Sequence, residues 1–379
     1  MKAIVNGKIL LPDGETSGKA LLFDERIRGI ADTLPADCGI IDAAGLYVAP
    51  GFMDVHIHGY LGADASDGDM AGLRKMARGI LKNGVTSFLP TTMTVPWDEL
   101  ERAFGAVRAF MAESAAPEFD GAQALGCHAE GPFINPRRKG AQAESAILPP
   151  DAEKLLPYKD VIRLVTIAPE MPGALECMRA LRGHMRLSIG HTDADYAQAM
   201  AGAAAGADHF THLFNAMTGL SHRAPGVVGA ALAGDAWCEL IADTFHVDKG
   251  LYPMLARAKG RKLVIITDAL RSAGMPDGEY EIGGQAFVLK GIQCKLKDGT
   301  IAGSVLKLNQ GVRNFRDYAN VPLYAAVRCA SLSAAESVGL AAAKGSLETG
   351  KDADVILLDE DCNVLRAIVR GVCKYVKND

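Results

Sequence analysis

The sequence has no apolar run long enough to cross a bilayer. Its longest runs, such as VVGAALAG and LVIIT, fall well short of the roughly 20 residues a membrane helix needs. It has no block of five or more basic residues, and its formal net charge is −5. Both features argue against a nucleic-acid partner. There is no CxxC pair among its eight cysteines, which excludes a zinc ribbon and a thioredoxin-like motif. Cysteines scattered singly through a long chain read as buried thiols in a reducing cytoplasm. The N-terminal stretch MKAIVNGKILLPDGE lacks a signal-peptide cleavage pattern, so the expected location is cytoplasmic. No internal repeat or low-complexity segment stands out. Histidine is also scarce, with only nine in 379 residues, and these nine are unevenly placed.

What is present is ordinary globular composition, 49% hydrophobic and 22% charged. The length fits one large domain of ~250 residues plus a smaller one. Both ends are rich in strand and turn signals: KAIVNGKILLPDG and ALLFDERIRGIAD at the start, DADVILLDEDCNVLRAIVRGVCKYV at the finish. The expected division is a small β-sandwich from residues 1–48 and 347–379, with residues 49–346 forming the larger part. In that part eight strand-like runs alternate with amphipathic helical patterns. The runs are YVAPGFMDVHIHG, TSFLPT, ALGCHAEGPF, VIRLVTIAP, MRLSIGHT, ADHFTHLFN, CELIADTFHV and KLVIITDA. Eight strand–helix units predict an α/β fold, a (β/α)8 barrel rather than an open doubly wound sheet. DGEYEIGGQAFVLKGIQCKLKDGT, after the last run, reads as an inserted β-hairpin.

Polar residues gather at the carboxyl ends of the predicted strands, the face on which such barrels build active sites. Asp54, His56 and His58 end the first strand, His128 and Glu130 the third, and His191 the fifth. His209, His212 and Asn215 end the sixth, Asp243 and His246 the seventh, and Asp268 the eighth. Eight of the nine histidines lie on or just after a strand end, His184 being the exception. His-x-His on a strand puts both rings on one face. Alone, that motif fits either a hydrogen-bonded interior pair or two metal ligands. Joined by Glu130, His191, His212 and Asp268, it points to Zn²⁺ or a similar divalent cation.

These residues sit in stretches that resemble the amidohydrolase superfamily and, within it, the family of N-acetylglucosamine-6-phosphate deacetylases. The likeness runs from PGFMDVHIHG through LPTTMT, HAEGPFINPRRKGA, SIGHTDA and THLFNAMTGLSHRAPGVVGAAL. It continues through LIADTFHVD, ITDALRSAGMPDGEY and GTIAGS to GSLETGKDADVILLD, close to the whole chain. The resemblance implies hydrolysis of N-acetylglucosamine 6-phosphate to glucosamine 6-phosphate and acetate. It implies Glu130, His191 and His212 as metal ligands, with His56 and His58 holding a second ion in some members. It implies Asp268 as the catalytic aspartate, and Ala141, Gln142, Asn215, Ala216, Arg223, His246, Ile301, Ala302 and Gly303 as substrate contacts. It also implies a homodimer.

Elementary chemistry agrees with these roles. Water is a poor nucleophile at neutral pH, and a cation corrects that while a carboxylate moves the proton. A guanidinium such as that of Arg223 binds phosphate oxygens in pairs.

The chain also departs from the family pattern. Gln142 stands where KGAH or KGTH has a histidine. Thr244–Phe245 replaces Gly-x in IADGxHV, removing a permissive backbone position and adding bulk near the sugar. Gly303–Ser304–Val305–Leu306–Lys307–Leu308 replaces GSSLTM. Alternative substrates are therefore N-acetylgalactosamine 6-phosphate or another N-acyl or cyclic amide. The fourth strand ends in Ala168–Pro169–Glu170 and offers no lysine to bridge two ions.

Overall fold

The computed structural model describes residues 1–377. Eight parallel strands follow one another around a barrel: β1 (Phe52–Ile57), β2 (Val85–Thr92), β3 (Cys127–Glu130), β4 (Ile162–Ile167), β5 (Arg186–Ile189), β6 (His209–Phe210), β7 (Trp237–Ile241) and β8 (Leu263–Ile266). Each pairs in parallel with the next. The ring closes where the Asp268 N–H donates to the His56 carbonyl at 2.9 Å, beside a parallel bridge between Ile57 and Ala269. Every residue of β8 is buried, as expected for strands covered on both faces.

The helices follow their apolar period. Met70–Ile80 buries Leu73, Met76, Ala77 and Ile80, spacings that fall on one helical face. Asp69 caps it, accepting from the Ala71 and Gly72 N–H groups. Among the described residues, no helix is long and apolar enough to cross a membrane.

The ends of the chain build two further sheets, and the first of them combines strands from both ends. One has six strands and runs Val372–Val376, Val364–Val369, Val355–Leu358, Tyr47–Pro50, Lys8–Leu11, Gly14–Thr16. The other has four: Ile27–Ala31, Ala20–Phe23, Lys2–Val5, Gly39–Asp42. Ile4, Leu21 and Phe23 of the four-stranded sheet and Ile9, Val48, Val355 and Ile368 of the six-stranded one form a single buried cluster between them.

Three local readings change. The run YVAPGFMDVHIHG is not one strand. Tyr47–Pro50 belongs to the six-stranded sheet, and β1 starts at Phe52. Gly51 is the junction, where a Cβ would lie 2.1 Å from Thr86 Oγ1. The expected insert hairpin is a four-stranded antiparallel meander: Gly278–Ile282, Gln285–Lys290, Gln293–Leu296, Ile301–Gly303. β6 keeps only two residues of ADHFTHLFN. Beyond it His212, Phe214 and Ala216 take positive φ, and this irregular backbone carries His212 and Asn215 to the barrel mouth.

Candidate functional site

The strand ends meet at one point. Glu130 Oε1 lies 3.2 Å from His191 Nε2, 3.0 Å from His212 Nε2 and 3.3 Å from His56 Nε2. Glu130 Oε2 lies 3.3 Å from His58 Nε2. Asp268 Oδ1 stands 3.2 Å from His58 Nε2 and 3.5 Å from His56 Nε2. Facing pairs of imidazole nitrogens are close too: His191 and His212 at 3.1 Å, His56 and His58 at 3.3 Å. His191, His212 and Asp268 have φ of 47°, 30° and 51°. Left-handed backbone costs a non-glycine residue about 1–2 kcal/mol, and such strain clusters at functional sites.

The other ring nitrogens decide which atoms face inward. His58 Nδ1 donates to the Thr91 carbonyl at 3.1 Å and His191 Nδ1 to the Arg138 carbonyl at 2.8 Å. His56 Nδ1 donates to Glu239 Oε2 at 2.9 Å. With Nδ1 carrying the hydrogen, each Nε2 turns a lone pair toward the carboxylates. Lone pairs and carboxylate oxygens aimed at one buried space repel unless positive charge sits among them. Of three clusters among the described residues that could hold a cation, two open onto this space: Glu130, His191 and His212, and His56, His58 and Glu130; the third, His56, His128 and Glu239, lies behind them.

The ionisation of the site reports the same demand. Burial lowers the His58 imidazole, but hydrogen bonds and charge from Asp268 and Glu130 overcome it and push it up to about 9. His56 is likewise raised, by Glu239 and Glu130 against burial. Burial raises the Glu130 carboxyl, yet the His191 and His56 charges hold it well below the usual carboxylate range. Without a cation, protons fill the site. A raised histidine pKa stabilises the metal-free protein fully below about 6.5 and loses that contribution as pH rises through about 9. A bound cation replaces those protons. The gain in Tm on adding Zn²⁺ to metal-free protein should therefore grow between pH 6.5 and 9. A gain that is flat or shrinking across that window contradicts this charge balance.

Above the cluster is a cavity of about 530 Å³. His58, Glu130, His191, His212 and Asp268 line its floor; Ala141, Gln142, Asn215, Ala216, His246, Ile301, Ala302 and Gly303 line its walls. His56 lies behind them, fully buried. His246 Nδ1 donates to Asp243 Oδ2 at 2.6 Å, and its Nε2 is buried without a partner. That lone nitrogen is free for a ligand oxygen. Gln142 has less freedom than its amide implied: its Oε1 accepts from the Thr94 N–H at 2.6 Å and its Nε2 donates to Glu130.

Two residues lie away from the cavity. Arg223 does not line the cavity of its own chain. It is exposed, in a reverse turn closed by the Ser221–Ala224 bridge. Phe245 adds no bulk to the cavity; its ring packs edge-on to His246 at 5.6 Å and beneath Lys295 Nζ at 5.5 Å.

Thr244, where the family pattern has glycine, holds φ 68°. A β-branched residue there is strained by about 1–2 kcal/mol. Glycine would relieve this but loses about 0.5–1 kcal/mol to chain entropy. Thr244→Gly should stabilise the fold by about 0.5–1 kcal/mol, read as a higher urea midpoint. A lower midpoint would show that Thr244 side-chain contacts outweigh the strain.

Sequence reasoning missed Glu239 and underrated Asp243. Glu239 is a charged residue inside the apolar run CELIA, which is the signal that could have found it. Asp243 precedes His246 by three residues, and its Oδ1 also accepts from the His246 and Phe245 N–H groups.

A family model described as Amidohydrolase family matches residues 47–373. The chain is 38% identical over 385 residues to an N-acetylglucosamine-6-phosphate deacetylase of Bacillus subtilis (strain 168), covering 100% of this chain and 95% of the relative. It is 35% identical to an N-acetylgalactosamine-6-phosphate deacetylase of Escherichia coli O157:H7, covering 90% and 91%. Among solved structures it is similar to N-acetylglucosamine-6-phosphate deacetylase from Pasteurella multocida, with a TM-score of 0.94 and 31% identity over 99% of this chain and 100% of that one.

Proposed function

The chain belongs to the amidohydrolase family, and from that premise we propose that it hydrolyses N-acetylglucosamine 6-phosphate to glucosamine 6-phosphate and acetate. The observation that carries this reading is the convergence of Glu130, His191, His212 and His58 beside Asp268 on the floor of one cavity, with His56 directly behind them. Glu130, His191 and His212 would hold one divalent cation, which we take to be Zn²⁺. His56 and His58 would hold a second, sharing Glu130. When bound, such a cation lowers the pKa of a water to about 7 and polarises an acyl oxygen.

Asp268 moves the proton. In the metal-free site burial raises its carboxyl, but the hydrogen bond from protonated His58 and the charge of His56 outweigh this and hold it below the usual carboxylate range; a bound cation would supply that positive charge in their place and keep Asp268 ionised. This carboxylate accepts a proton from the attacking water and delivers it to the departing nitrogen. The new C–O bond forms first, giving a tetrahedral adduct; once the nitrogen is protonated the C–N bond breaks, the acyl group leaves as acetate and the amine leaves neutral. His246, its Nδ1 hydrogen held by Asp243, offers the lone pair of Nε2 to a sugar hydroxyl. Ala141, Asn215, Ala216 and Ile301–Gly303 shape the walls around the sugar. The eight cysteines are all free thiols, which suits a role in the cytoplasm.

We assign phosphate binding to Arg223 across a homodimer, since its own chain leaves it outside the cavity. Loss of a charge-assisted pair of hydrogen bonds costs about 1.5–3 kcal/mol. Arg223→Ala should thus lower kcat/KM for the phosphorylated substrate by about 10–100-fold and barely affect an unphosphorylated analogue. Arg223→Ala and Asp268→Asn chains, mixed and reassorted, should recover about a quarter of wild-type activity, because half the dimers then carry one complete site. No recovery refutes binding across the interface. An acetate-release comparison of the two C4 epimers tests the substrate. Faster turnover of N-acetylgalactosamine 6-phosphate would replace the sugar and keep the chemistry.

A further inference from the structure

We infer that Glu239 is a positioning residue: it sets His56, and with it the second cation position, from behind the site. The inference rests on the cation reading above and extends it. Glu239 lies on β7 and is fully buried. One of its oxygens, Oε2, accepts from His56 Nδ1 at 2.9 Å and from the His212 main-chain N–H at 3.0 Å. Its own carbonyl accepts from the Leu213 N–H at 2.9 Å. A single carboxylate thus ties a residue of each ligand group to the same strand.

The acceptors behind the other rings differ in kind. His58 and His191 give their Nδ1 hydrogens to main-chain carbonyls, whereas His56 gives its hydrogen to a carboxylate. A charged acceptor fixes the tautomer and makes the opposite nitrogen a stronger donor to a cation. It also places a negative charge where an ion would need it.

Glu239 could itself be read as a ligand, since it clusters with His56 and His128. His128 argues against that. Its Nδ1 faces the Val55 carbonyl at 3.2 Å and its Nε2 meets Thr166 Oγ1 at 2.8 Å, so both nitrogens are engaged. Its ring stands edge-on to His56, 4.5 Å between centroids, and limits tilting of that ring. Glu239 Oε1 lies 3.4 Å from His209 Nε2, and both atoms lack a hydrogen-bond partner.

That last pair makes Glu239→Gln a mild substitution. The amide oxygen can still accept from His56 and His212, while the amide nitrogen can donate to His209. Only the charge is lost. Metal-free wild type and Glu239→Gln should be titrated with Zn²⁺ against a competing chelator, and with Co²⁺ by its absorption spectrum. Wild type should bind two ions per chain. In the variant one ion should bind about 10–100-fold more weakly and the other within a few fold, with the metal-free Tm little changed. Glu239→Asp, which keeps the charge on a shorter arm, should recover part of the lost affinity.

Equal affinities in wild type and Glu239→Gln would overturn the inference. So would a third ion per chain in wild type, which would make Glu239 a ligand. Wild type that deacetylates with a single ion sinks this inference and leaves the deacetylase reading standing. Two ions bound with the expected loss in the variant, but no acetate released, sinks the deacetylase reading alone.

Discussion

Asp268→Asn should lower deacetylation by about 10²–10⁴-fold, the range for losing a general acid–base group, with metal content unchanged. The substitution suits the position. Asn tolerates left-handed backbone better than most residues, and Asp268 has φ 51°. Its main-chain bonds to the His56 carbonyl and from the Ser304 N–H, both 2.9 Å, do not involve the side chain. The amide cannot take a proton from water at neutral pH. The cation groups keep Glu130 and all four histidines, so elemental analysis of the variant should match wild type. A variant with full activity would remove Asp268 from the chemistry. A variant that loses metal along with activity would recast it as a ligand.

Glu130→Ala should have the other large effect, through a different route. Glu130 is common to both ligand groups, with Oε1 facing His191, His212 and His56 and Oε2 facing His58. Its removal leaves four imidazoles without the carboxylate they share. Both ions should bind far more weakly, and kcat/KM should fall by about 10³-fold or more, since metal catalysis supplies several kcal/mol and each 1.36 kcal/mol is tenfold. The rise in Tm on adding Zn²⁺ to metal-free wild type should disappear in this variant. Chelator treatment of wild type should mimic the activity loss, and added Zn²⁺ should reverse it. Glu130→Ala protein that retains its ions and activity would mean the cation sits elsewhere.

The positions of Glu130, His191, His212 and Asp268 were readable in the sequence because barrel geometry is generic. Strand ends converge, so a polar residue closing an apolar run can be placed without coordinates. The paired terminal sheets were readable for a similar reason, since strand and turn signals bracket both ends. What escaped depends on contacts distant in sequence. Gly51 looked like a strand residue, and only the approach of Thr86 shows why the chain changes sheets there. Arg223 carries the right chemistry, but its direction is set by a turn that leaves its own chain's cavity. Glu239 reads as one charged residue in a buried strand until His56 is seen against it. Gln142 was expected as a substrate contact, and only the structure shows Thr94 and Glu130 holding both ends of its amide.

The most direct test is stoichiometric. Purified protein loaded with Zn²⁺ should be incubated with N-acetylglucosamine 6-phosphate while acetate and free primary amine are both measured. One acetate should appear for each amine, with release abolished by chelation. No acetate from any N-acetylhexosamine 6-phosphate, with the ion confirmed bound at Glu130, His191 and His212, would contradict it.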